Sequence, residues 1–307
     1  MRLPRPVRRA WAYILVQVLR ILARVLPRRM GLAIFGALGS AARRILANDR
    51  RRAVDNLARA FPDANRMVCD AMTRAMFRSL GRNVWEFLRL EGASPEEVAR
   101  RVERVEGLEH VDSALAGGKG MLVITGHIGC WELLPAYFAS IGYPVTGVAR
   151  QMRIGRLNDQ LRAIRASVGV HTIDRDASPR QMIDVLRRNE ALGVLIDQHT
   201  RVAGVYVPFF GRPAYTPTAV ARMEFITGAP IVPMASFMAD SGRHVIRVLP
   251  AIEVERSDDR TSDIDRLTAK CSRAIEELIR IDPKQWVWIH DRWRCPQPGD
   301  RVFVPPN

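Results

Sequence analysis

Residues 121 to 132 read MLVITGHIGCWE, and this stretch decides the fold. The run from Met121 to Thr125 is apolar or β-branched throughout and is bounded by glycines, which predicts a buried strand. Gly126 and Gly129 follow directly and provide the backbone freedom for a tight turn into a helix. A buried strand that turns into a helix is the repeating unit of a parallel sheet, so the stretch predicts an α/β domain.

The chain beyond this stretch continues the same alternation of strands and helices. Further strands are predicted at Val145 to Ala149, Val170 to Ile173, Leu192 to Asp197, Ile231 to Phe237 and Val245 to Leu249. Helical patterns lie between them at about 130–141, 155–168, 178–189 and 217–227. The sequence therefore predicts a largely parallel central sheet flanked by helices over residues 117–307. Residues 49–116 read as mainly helical, and we expect 49–307 to form one compact unit.

The turn after the first predicted strand carries a histidine and an acid. In open α/β sheets ligands bind outside the carboxyl ends of the strands, which is where His127 lies. Glu132 follows five residues later, about 500° around a continuous helix, so the two side chains meet only if His127 lies in the loop and Glu132 in the helix. A strand-to-helix turn with an incidental histidine remains the alternative. The sequence has no G-x-S-x-G elbow that would offer a rival nucleophile.

A second polar group follows a later strand. Asp197 ends the run LGVLID and is followed by Gln198, at the same predicted edge of the sheet as His127. Asp197 is a candidate for positioning a sugar or an arginine, and the alternative is a turn cap. Arg150 follows the strand VTGVA and Arg165 lies in LRAIRASVG, so both are candidates for substrate binding, although arginines are more often solvated surface residues.

The basic charge is concentrated at the N-terminus. Residues 1–60 contain 14 Arg, no Lys and only two acids, Asp49 and Asp55. Apolar runs such as WAYILVQVL lie between the arginines but fall short of the roughly 20 residues of a clean membrane span. Arg20 and Arg24 share one helical face, with leucines 15, 19, 22 and 26 on another. Residues 1–48 are therefore predicted to form a helical arm on a membrane surface, while a tilted span stays open.

Secretion and nucleic-acid binding account less well for the basic arm. A secretory signal does not explain the arginines inside the apolar run or the lack of a small-residue cleavage site. Nucleic-acid binding is disfavoured because the arginines alternate with Leu, Ile and Val and no zinc-finger or RNP signature is present. We therefore expect no nucleic-acid partner.

Composition excludes several protein classes. The 307 residues carry 47 Lys plus Arg against 32 Asp plus Glu, a formal net charge of +15, and 48% are hydrophobic. This composition, without low-complexity segments, excludes disordered, collagen-like and disulfide-scaffold proteins. The four cysteines, at 69, 130, 271 and 295, have neither CxxC nor metal-ligand spacing. No metal site is therefore predicted, and a reducing compartment fits best.

Six blocks of sequence, in order, resemble one known family. They are NLARAFPDA at 56–64, GKGMLVITGHIGCWE at 118–132, IDQH at 196–199, VPFFGRPAYTPTAVA at 207–221, TGAPIVP at 227–233 and DPKQWVWIHDRWR at 282–294. The chain resembles the bacterial lipid A biosynthesis late acyltransferases, within the lysophospholipid acyltransferase group. The family hallmark H-x4-[DE] corresponds to His127 and Glu132. Cys130 is a departure, because members often have Asn at that position.

This resemblance implies a glycerolphosphate-acyltransferase-like fold and a reaction. A fatty acyl group would pass from an acyl carrier protein thioester, or from coenzyme A, to a hydroxyl of a lipid A precursor or related glycolipid at the cytoplasmic face of the inner membrane. His127 would be the general base, held in its productive tautomer by Glu132, without a covalent acyl-enzyme. Backbone N–H groups at the start of the helix after His127, including the turn at Gly129, or an arginine, would bind the oxyanion. Arg165 is the better candidate for contacting substrate near the carbonyl.

The acceptor lipid stays open on the residues alone. It could instead be another membrane lipid, such as a mannosylated inositol lipid, a glycerolipid or an aminoacyl lipid, and a non-catalytic membrane adaptor is the alternative from another class. No cofactor beyond the thioester is expected. The PFFG segment at 208–211 is expected to form a turn and either cap the core or line an acyl channel. The tryptophans of QWVWIHDRW are expected to pack or to lie at a membrane interface, and His290 is assigned no catalytic role.

Overall fold

The computed structural model describes residues 5–152 and 154–304, so the first four residues of the predicted arm lie outside the described residues. The helices are α1 (Arg5–Val25), α2 (Arg28–Ile45), α3 (Ala47–Ala60), α4 (Arg66–Leu88), α5 (Pro95–Ala99), α6 (Leu108–Ala116), α7 (Leu133–Ser140), α8 (Gly155–Ser167), α9 (Pro179–Arg187), α10 (Ala219–Thr227) and α11 (Arg260–Ile281). The strands are β1 (Val102–Glu106), β2 (Met121–Thr125), β3 (Val145–Ala149), β4 (Val170–Asp174), β5 (Ala191–Leu195), β6 (Gly204–Phe209), β7 (Arg212–Pro217), β8 (Ile231–Met238) and β9 (His244–Val248).

The seven-stranded central sheet is mostly parallel, as predicted. Its strand order is β1-β9-β8-β2-β5-β3-β4. Strands β8, β2, β5, β3 and β4 are parallel to one another. The antiparallel pairing of β8 with β9 reverses the last two strands, β9 and β1, which are parallel to each other. The carboxyl ends of β2, β5, β3 and β4 therefore meet at one edge, where a ligand site is expected.

All six predicted strands are present, two with the predicted ends and four with ends that differ by at most two residues. Three further strands were not predicted. The sequence VERVE of β1 lies in the region read as helical, and its parallel partner β9 is distant in the chain. Strands β6 and β7 form a separate hairpin around the expected PFFG turn. Phe210 and Gly211 both have positive φ there, as in a two-residue type I′ turn.

Alternate residues of the central strands face two different cores. Leu122, Ile124 and Leu192 join α9, α10 and α11 in one buried cluster. Met121, Val123 and Ala191 join α6 and α7 in the other. Because both faces of the sheet are covered, β2 is buried at every position and needs the continuous apolar run that the sequence shows.

Helix α2 packs closely on the body of the protein instead of standing apart as an arm. A Cβ atom at Gly39 would overlap the carbonyl oxygen of Phe77, and one at Gly81 would overlap that of Phe35. These glycines let the backbones of α2 and α4 approach each other. Trp85 of α4 lies directly over Gly31 of α2. Residues 28–45 are therefore part of the folded unit.

Helix α1 is only partly as predicted. Leu19, Leu22 and Leu26 pack against the protein core, so they are not free to face a membrane. Arg20 pairs with Glu91 at 2.5 Å instead of extending from a cationic face. Within the described parts of the chain, no single helix is long and apolar enough to span a membrane. Taken together, helices α2 and α3 have the length and composition of a membrane span, but the two helices meet at a bend of 94°.

Candidate functional site

His127 and Asp197 lie side by side because they follow two neighbouring parallel strands. Thr125 at the end of β2 pairs with Leu195 at the end of β5, so the residues two positions further on lie opposite each other. Nδ1 of His127 is 2.9 Å from Oδ1 of Asp197. The backbone N–H of His127 donates to Oδ2 of the same carboxylate at 2.7 Å. The edge of the sheet thus joins a histidine to a carboxylate.

The environment keeps Asp197 ionised and makes His127 more basic. Asp197 is buried and also accepts a hydrogen bond from the indole N–H of Trp286 at 2.8 Å. Burial alone raises the pKa of Asp197, but the charge and hydrogen bonds of His127 hold that pKa well below its usual range. Burial alone lowers the pKa of His127, but Asp197 outweighs it and Glu132 adds to the effect, so the pKa is raised.

The hydrogen bond to Asp197 sets the tautomer of His127. An ionised carboxylate accepts only, so Nδ1 carries the proton and Nε2 carries the lone pair. The side-chain nitrogen of Gln198 lies 3.1 Å from both ring nitrogens. Because these two distances are equal, the amide is not in line with the lone pair of Nε2. Nε2 is therefore available as a base for a proton delivered from the cleft.

Glu132 does not hold the imidazole, contrary to the role expected for it. Its carboxylate accepts two hydrogen bonds from Arg165, at 2.6 and 2.9 Å. Glu132 stands at the start of α7 and Arg165 in the last turn of α8. The hydrogen-bonding partner of the histidine is Asp197. Glu132 acts on His127 only through its charge.

His290 joins the site, although no sequence pattern assigned it a role. Its ring centroid is 5.2 Å from that of His127, and its Nε2 is 2.7 Å from the side-chain nitrogen of Gln198. Burial lowers the pKa of His290 to about 4, helped by the charges of His127 and Arg292, so its ring is neutral. The amide of Asn56 holds the segment by donating to the carbonyls of Trp288 and His290. The only sequence signal was the aromatic density of QWVWIHDRW.

The tryptophans of that segment pack inside the protein. Trp286 and Trp288 are fully buried, with ring centroids 4.5 Å apart. Trp286 donates to Asp197, and the N–H of Val287 donates to the carbonyl of His127 at 3.1 Å. The packing expectation is confirmed for Trp286 and Trp288. Their burial contradicts a place at a membrane interface.

Gly129 shapes the turn but does not donate into the site. Its φ is 49°, and a Cβ would overlap the carbonyl oxygen of Ser236, so only glycine fits. Its N–H donates to the carbonyl of Gln285 at 2.8 Å, and its own carbonyl accepts from Asn83 at 2.6 Å. The expected oxyanion donor at Gly129 is therefore occupied. The N–H groups of Trp131 and Glu132 have no backbone acceptor within the described residues.

Cys130 faces the protein interior beside this turn. It is buried, and its N–H donates to the carbonyl of Ser236 at 3.2 Å. Burial raises the pKa of the thiol, and the charge of Glu86 raises it further. Cys130 is therefore an unreactive packing residue, and its backbone secures the turn that carries His127.

Two cavities meet beside His127. A polar cleft, with about 1650 Å³ of space including its open mouth, contains His127, Gln198, His290 and five arginines in its lining. An apolar cavity, with about 750 Å³ of space including its opening to solvent, lies between the sheet and helices α6, α7 and α8. Trp131, Glu132 and Arg165 line both. The imidazole thus stands where a polar entrance adjoins an apolar chamber.

The remaining predicted binding residues also line this cleft. Arg150 follows β3 and faces the cleft, without an ion pair in the described parts of the chain. Arg165, Gln198 and His127 are brought together with it. In residues 5–152 and 154–304, no group of three or more His, Cys, Asp and Glu side chains is arranged to hold a metal ion.

Comparisons with known proteins agree with the resemblance. A family model described as bacterial lipid A biosynthesis acyltransferase matches residues 4–295. A phosphatidylinositol mannoside acyltransferase of Mycobacterium tuberculosis is 27% identical over 243 residues, 78% of this chain and 75% of the relative. A lipid A biosynthesis acyltransferase of Haemophilus influenzae is 23% identical over 92% of this chain and 87% of its own. The lipid A biosynthesis myristoyltransferase of Escherichia coli is 22% identical over 87% and 82%.

Proposed function

Because the chain belongs to the bacterial lipid A biosynthesis acyltransferase family and is an acyltransferase acting on a glycolipid, we propose that it moves a fatty acyl group from an acyl carrier protein thioester to a hydroxyl of a lipid A precursor or related glycolipid. The observation that carries this proposal is the position of His127 at the junction of a polar cleft and an apolar cavity. A reaction that joins a lipid chain to a sugar hydroxyl needs both environments at one base.

His127 acts as the general base in direct transfer. Nε2 takes the proton of the acceptor hydroxyl while the oxygen attacks the thioester carbonyl, which gives a tetrahedral intermediate. The intermediate collapses with loss of the thiolate, and the proton on Nε2 passes to that sulfur. Asp197 remains ionised and stabilises the imidazolium that forms in between. The pairing at 2.9 Å and the raised pKa of His127 support this role.

The developing oxyanion needs donors beside the carbonyl. The N–H groups of Trp131 and Glu132 lack backbone acceptors within the described residues and stand at the start of α7. The positive end of a helix dipole favours negative charge there. Arg165 adds a positive charge that Glu132 holds in place through two hydrogen bonds. We assign oxyanion binding to these groups, with Glu132 as the residue that positions Arg165.

The apolar cavity binds the acyl chain. Its lining consists of strand residues from one face of β2, β5, β3 and β4, together with side chains of α7 such as Leu134 and Phe138. Burying the methylene groups of an acyl chain there gains about 0.8 kcal/mol each. The chain would extend from the junction at Trp131 into the cavity, which leaves its thioester carbonyl beside His127.

An exposed apolar stripe supports attachment to a membrane surface. On α1 it includes Trp11, Leu15 and Ile21, which are 62%, 58% and 60% exposed. Met30, Ile34 and Leu38 continue it on α2 at four-residue spacing. Since the exposed side chains of Arg24 and Arg29 are close to the stripe in the sequence, it suits an anionic leaflet. We place the protein at the cytoplasmic face of the inner membrane, where acyl carrier protein is available.

A mannosylated inositol lipid is the second candidate acceptor. The observation that favours it is the 27% identity to a phosphatidylinositol mannoside acyltransferase. Both candidates keep the same donor and the same His127 chemistry.

A transfer assay tests the proposal. The purified full-length chain in detergent would be given acyl carrier protein thioesters or acyl coenzyme A as donor. The acceptor would be a lipid A precursor or a phosphatidylinositol mannoside, and the products would be identified by mass spectrometry. We expect the acylated glycolipid from the carrier thioester, with a rate at sub-saturating donor that falls as salt rises, because acyl carrier protein is acidic. No product above the level of a folded His127→Ala variant would refute the function, and a strict need for coenzyme A would refute the donor.

A further inference from the structure

The polar cleft beside His127 has an excess of positive charge that the mechanism does not use. Five arginines line it, Arg150, Arg165, Arg175, Arg201 and Arg294, against two carboxylates. Glu132 is bound by Arg165 at 2.6 Å, and Asp291 by Arg294 at 2.8 Å. Among the residues that the structure describes, Arg150, Arg175 and Arg201 are left without a carboxylate inside the cleft.

Two of these arginines are placed side by side by the sheet. Ala149 at the end of β3 pairs with Asp174 at the end of β4, so Arg150 and Arg175 follow neighbouring strands at the same edge. The N–H of Arg175 donates to the carbonyl of Ala149 at 2.8 Å, which fixes this arrangement. Arg175 makes one ion pair, at 3.3 Å with Asp176, whose side chain is mostly exposed. Such surface pairs contribute little.

The loop after β5 also lines the cleft, through Gln198, His199, Thr200 and Arg201. Arg201 has no ion pair in the part of the chain that the structure describes. The hydroxyl of Thr200 and Nδ1 of His199 in the same loop lack hydrogen-bond partners there. Burial lowers the pKa of His199, and the charges of Arg294 and Arg292 lower it further, which is consistent with a positive potential in this part of the cleft.

We propose that Arg150, Arg175 and Arg201 form a subsite for a phosphate group of a substrate bound in the cleft. Like charges that line one cleft without counter-charges there repel one another, so an anion in the cleft is favoured. Arginine forks match the oxygens of phosphate, and the surplus of three charges suits a phosphate monoester or diester. The phosphate comes either from the pantetheine arm of the acyl donor or from the glycolipid acceptor. The proposal rests on the proposed function for its substrates.

Binding measurements separate the two sources without using turnover. Isothermal titration of the full chain in detergent would compare 4′-phosphopantetheine with pantetheine, and glucosamine 1-phosphate with glucosamine. Each pair differs by one phosphate. We expect the phosphate form to bind about tenfold tighter or more in one pair, and that pair identifies the source. No phosphate advantage in either pair overturns the subsite.

The variant Arg150→Gln/Arg201→Gln tests the residues. Both side chains are exposed and free of ion pairs in the described structure, so the fold is expected to survive, which a thermal melt checks. The phosphate advantage should fall to about threefold or less. The control Arg180→Gln/Arg187→Gln changes two exposed arginines outside the cleft and should keep the advantage. Survival of the tighter binding of the phosphate form in the first variant overturns the proposal.

A parallel assay of acyl transfer separates this proposal from the function on which it rests. If the protein transfers acyl groups but does not bind the phosphate forms more tightly, the subsite is refuted and the proposed function stands. If the protein binds a phosphate form more tightly but transfers no acyl group, the proposed function is refuted and the anion site stands. His127→Ala should abolish transfer while keeping the phosphate advantage.

Discussion

Asp197 Oδ1 lies 2.9 Å from Nδ1 of His127, and this hydrogen bond joins the ends of the adjacent strands β2 and β5. Glu132, the other acid of the site, is bonded to Arg165. The site therefore contains two separate charged pairs. One sets the base, and the other presents a positive charge beside it.

Removing the base or its carboxylate partner should abolish most activity. We expect His127→Ala to lower kcat by about 10² or more, in line with general-base contributions. Asp197→Asn should lower it by about 10² to 10⁴, because the amide can stabilise the wrong tautomer and carries no charge. The measurement is single-turnover acyl transfer with folded proteins. His171→Ala, an exposed histidine on β4, is the matched control and should be unaffected. Near-normal turnover by Asp197→Asn would exclude its orienting role.

Glu132 and Arg165 should behave as one unit. We expect Glu132→Gln and Arg165→Gln each to reduce kcat by at least about tenfold, with the double variant little worse than either single one, because each residue depends on the other. A double-mutant cycle on kcat measures this. Glu132→Gln combined with Asp197→Asn should instead show losses that multiply. Multiplying losses for Glu132 and Arg165 would contradict the pairing.

The pH dependence of kcat/KM should report His127. Its pKa is raised above the ordinary 6.5 by Asp197, and the base must be neutral, so the rate should rise with pH through a midpoint above 6.5. Because folding raises the pKa of His127, the protonated imidazole stabilises the folded state. This contribution to the free energy of unfolding is lost as pH rises through the raised pKa. In the residual activity of Asp197→Asn the midpoint should move down. If the midpoint of Asp197→Asn equals that of the unmodified protein, the pH dependence of kcat/KM comes from a group other than His127.

Two facing glycines should set the acyl chain length. Gly147 of β3 pairs with Gly193 of β5, and both line the apolar cavity. A Cβ at either position would meet no atom closer than 3.8 Å beyond its chain neighbours, so a larger side chain would extend into the cavity. Gly147→Val and Gly193→Val should shift the product towards shorter chains, with a penalty of about 1–3 kcal/mol for the longest donor. Competition between donors of different length, read by mass spectrometry, measures this.

The control for the cavity is Gly155→Ala. Gly155 begins α8 outside the cavity and has open space around it. The variant should therefore transfer acyl chains of the same lengths as the unmodified protein. An unchanged profile in both valine variants would show that the acyl chain binds elsewhere.

The apolar stripe on α1 should control membrane binding. Leu15→Ser/Ile21→Ser should lower partition onto anionic vesicles by about tenfold or more, since burying such side chains is worth about 1.5–3 kcal/mol each. Ile226→Ser/Ile281→Ser removes two exposed apolar side chains elsewhere and should leave partition unchanged. Vesicle sedimentation measures both. These substitutions are preferable to deleting residues 1–45, because α2 is packed into the fold. Equal losses in the two variants would contradict a specific stripe.

The sequence predicted the sheet because its signals are local. Strands such as β2 are buried on both faces, so their apolar runs appear directly in the sequence. Strand β1 was missed because VERVE alternates as a half-exposed edge does, and only its distant partner β9 makes it a strand. For the hairpin of β6 and β7 the sequence predicted only the turn, because the residues that flank it include two prolines and an arginine, which are typical of loops.

The sequence predicted His127, Asp197 and Gln198 as site residues, but it predicted neither His290 nor the hydrogen bonds that connect the site. The position of His127 after a buried strand pointed to the edge of the sheet. His290 carried no such signal, because it enters the site from a C-terminal segment held by Asn56 of α3 and by the indole of Trp286. Packing of this kind depends on contacts between distant parts of the chain.

The sequence by itself determined the α/β class, the turn that carries His127 and the family to which the chain belongs, because each is written in short runs of residues. The tertiary structure alone decided which acid serves the histidine. Spacing along the chain suggested Glu132, five positions away, but strand order places Asp197 opposite His127 across 70 positions. A hydrogen bond requires proximity and direction in space, and parallel strands supply both to residues that are distant in sequence.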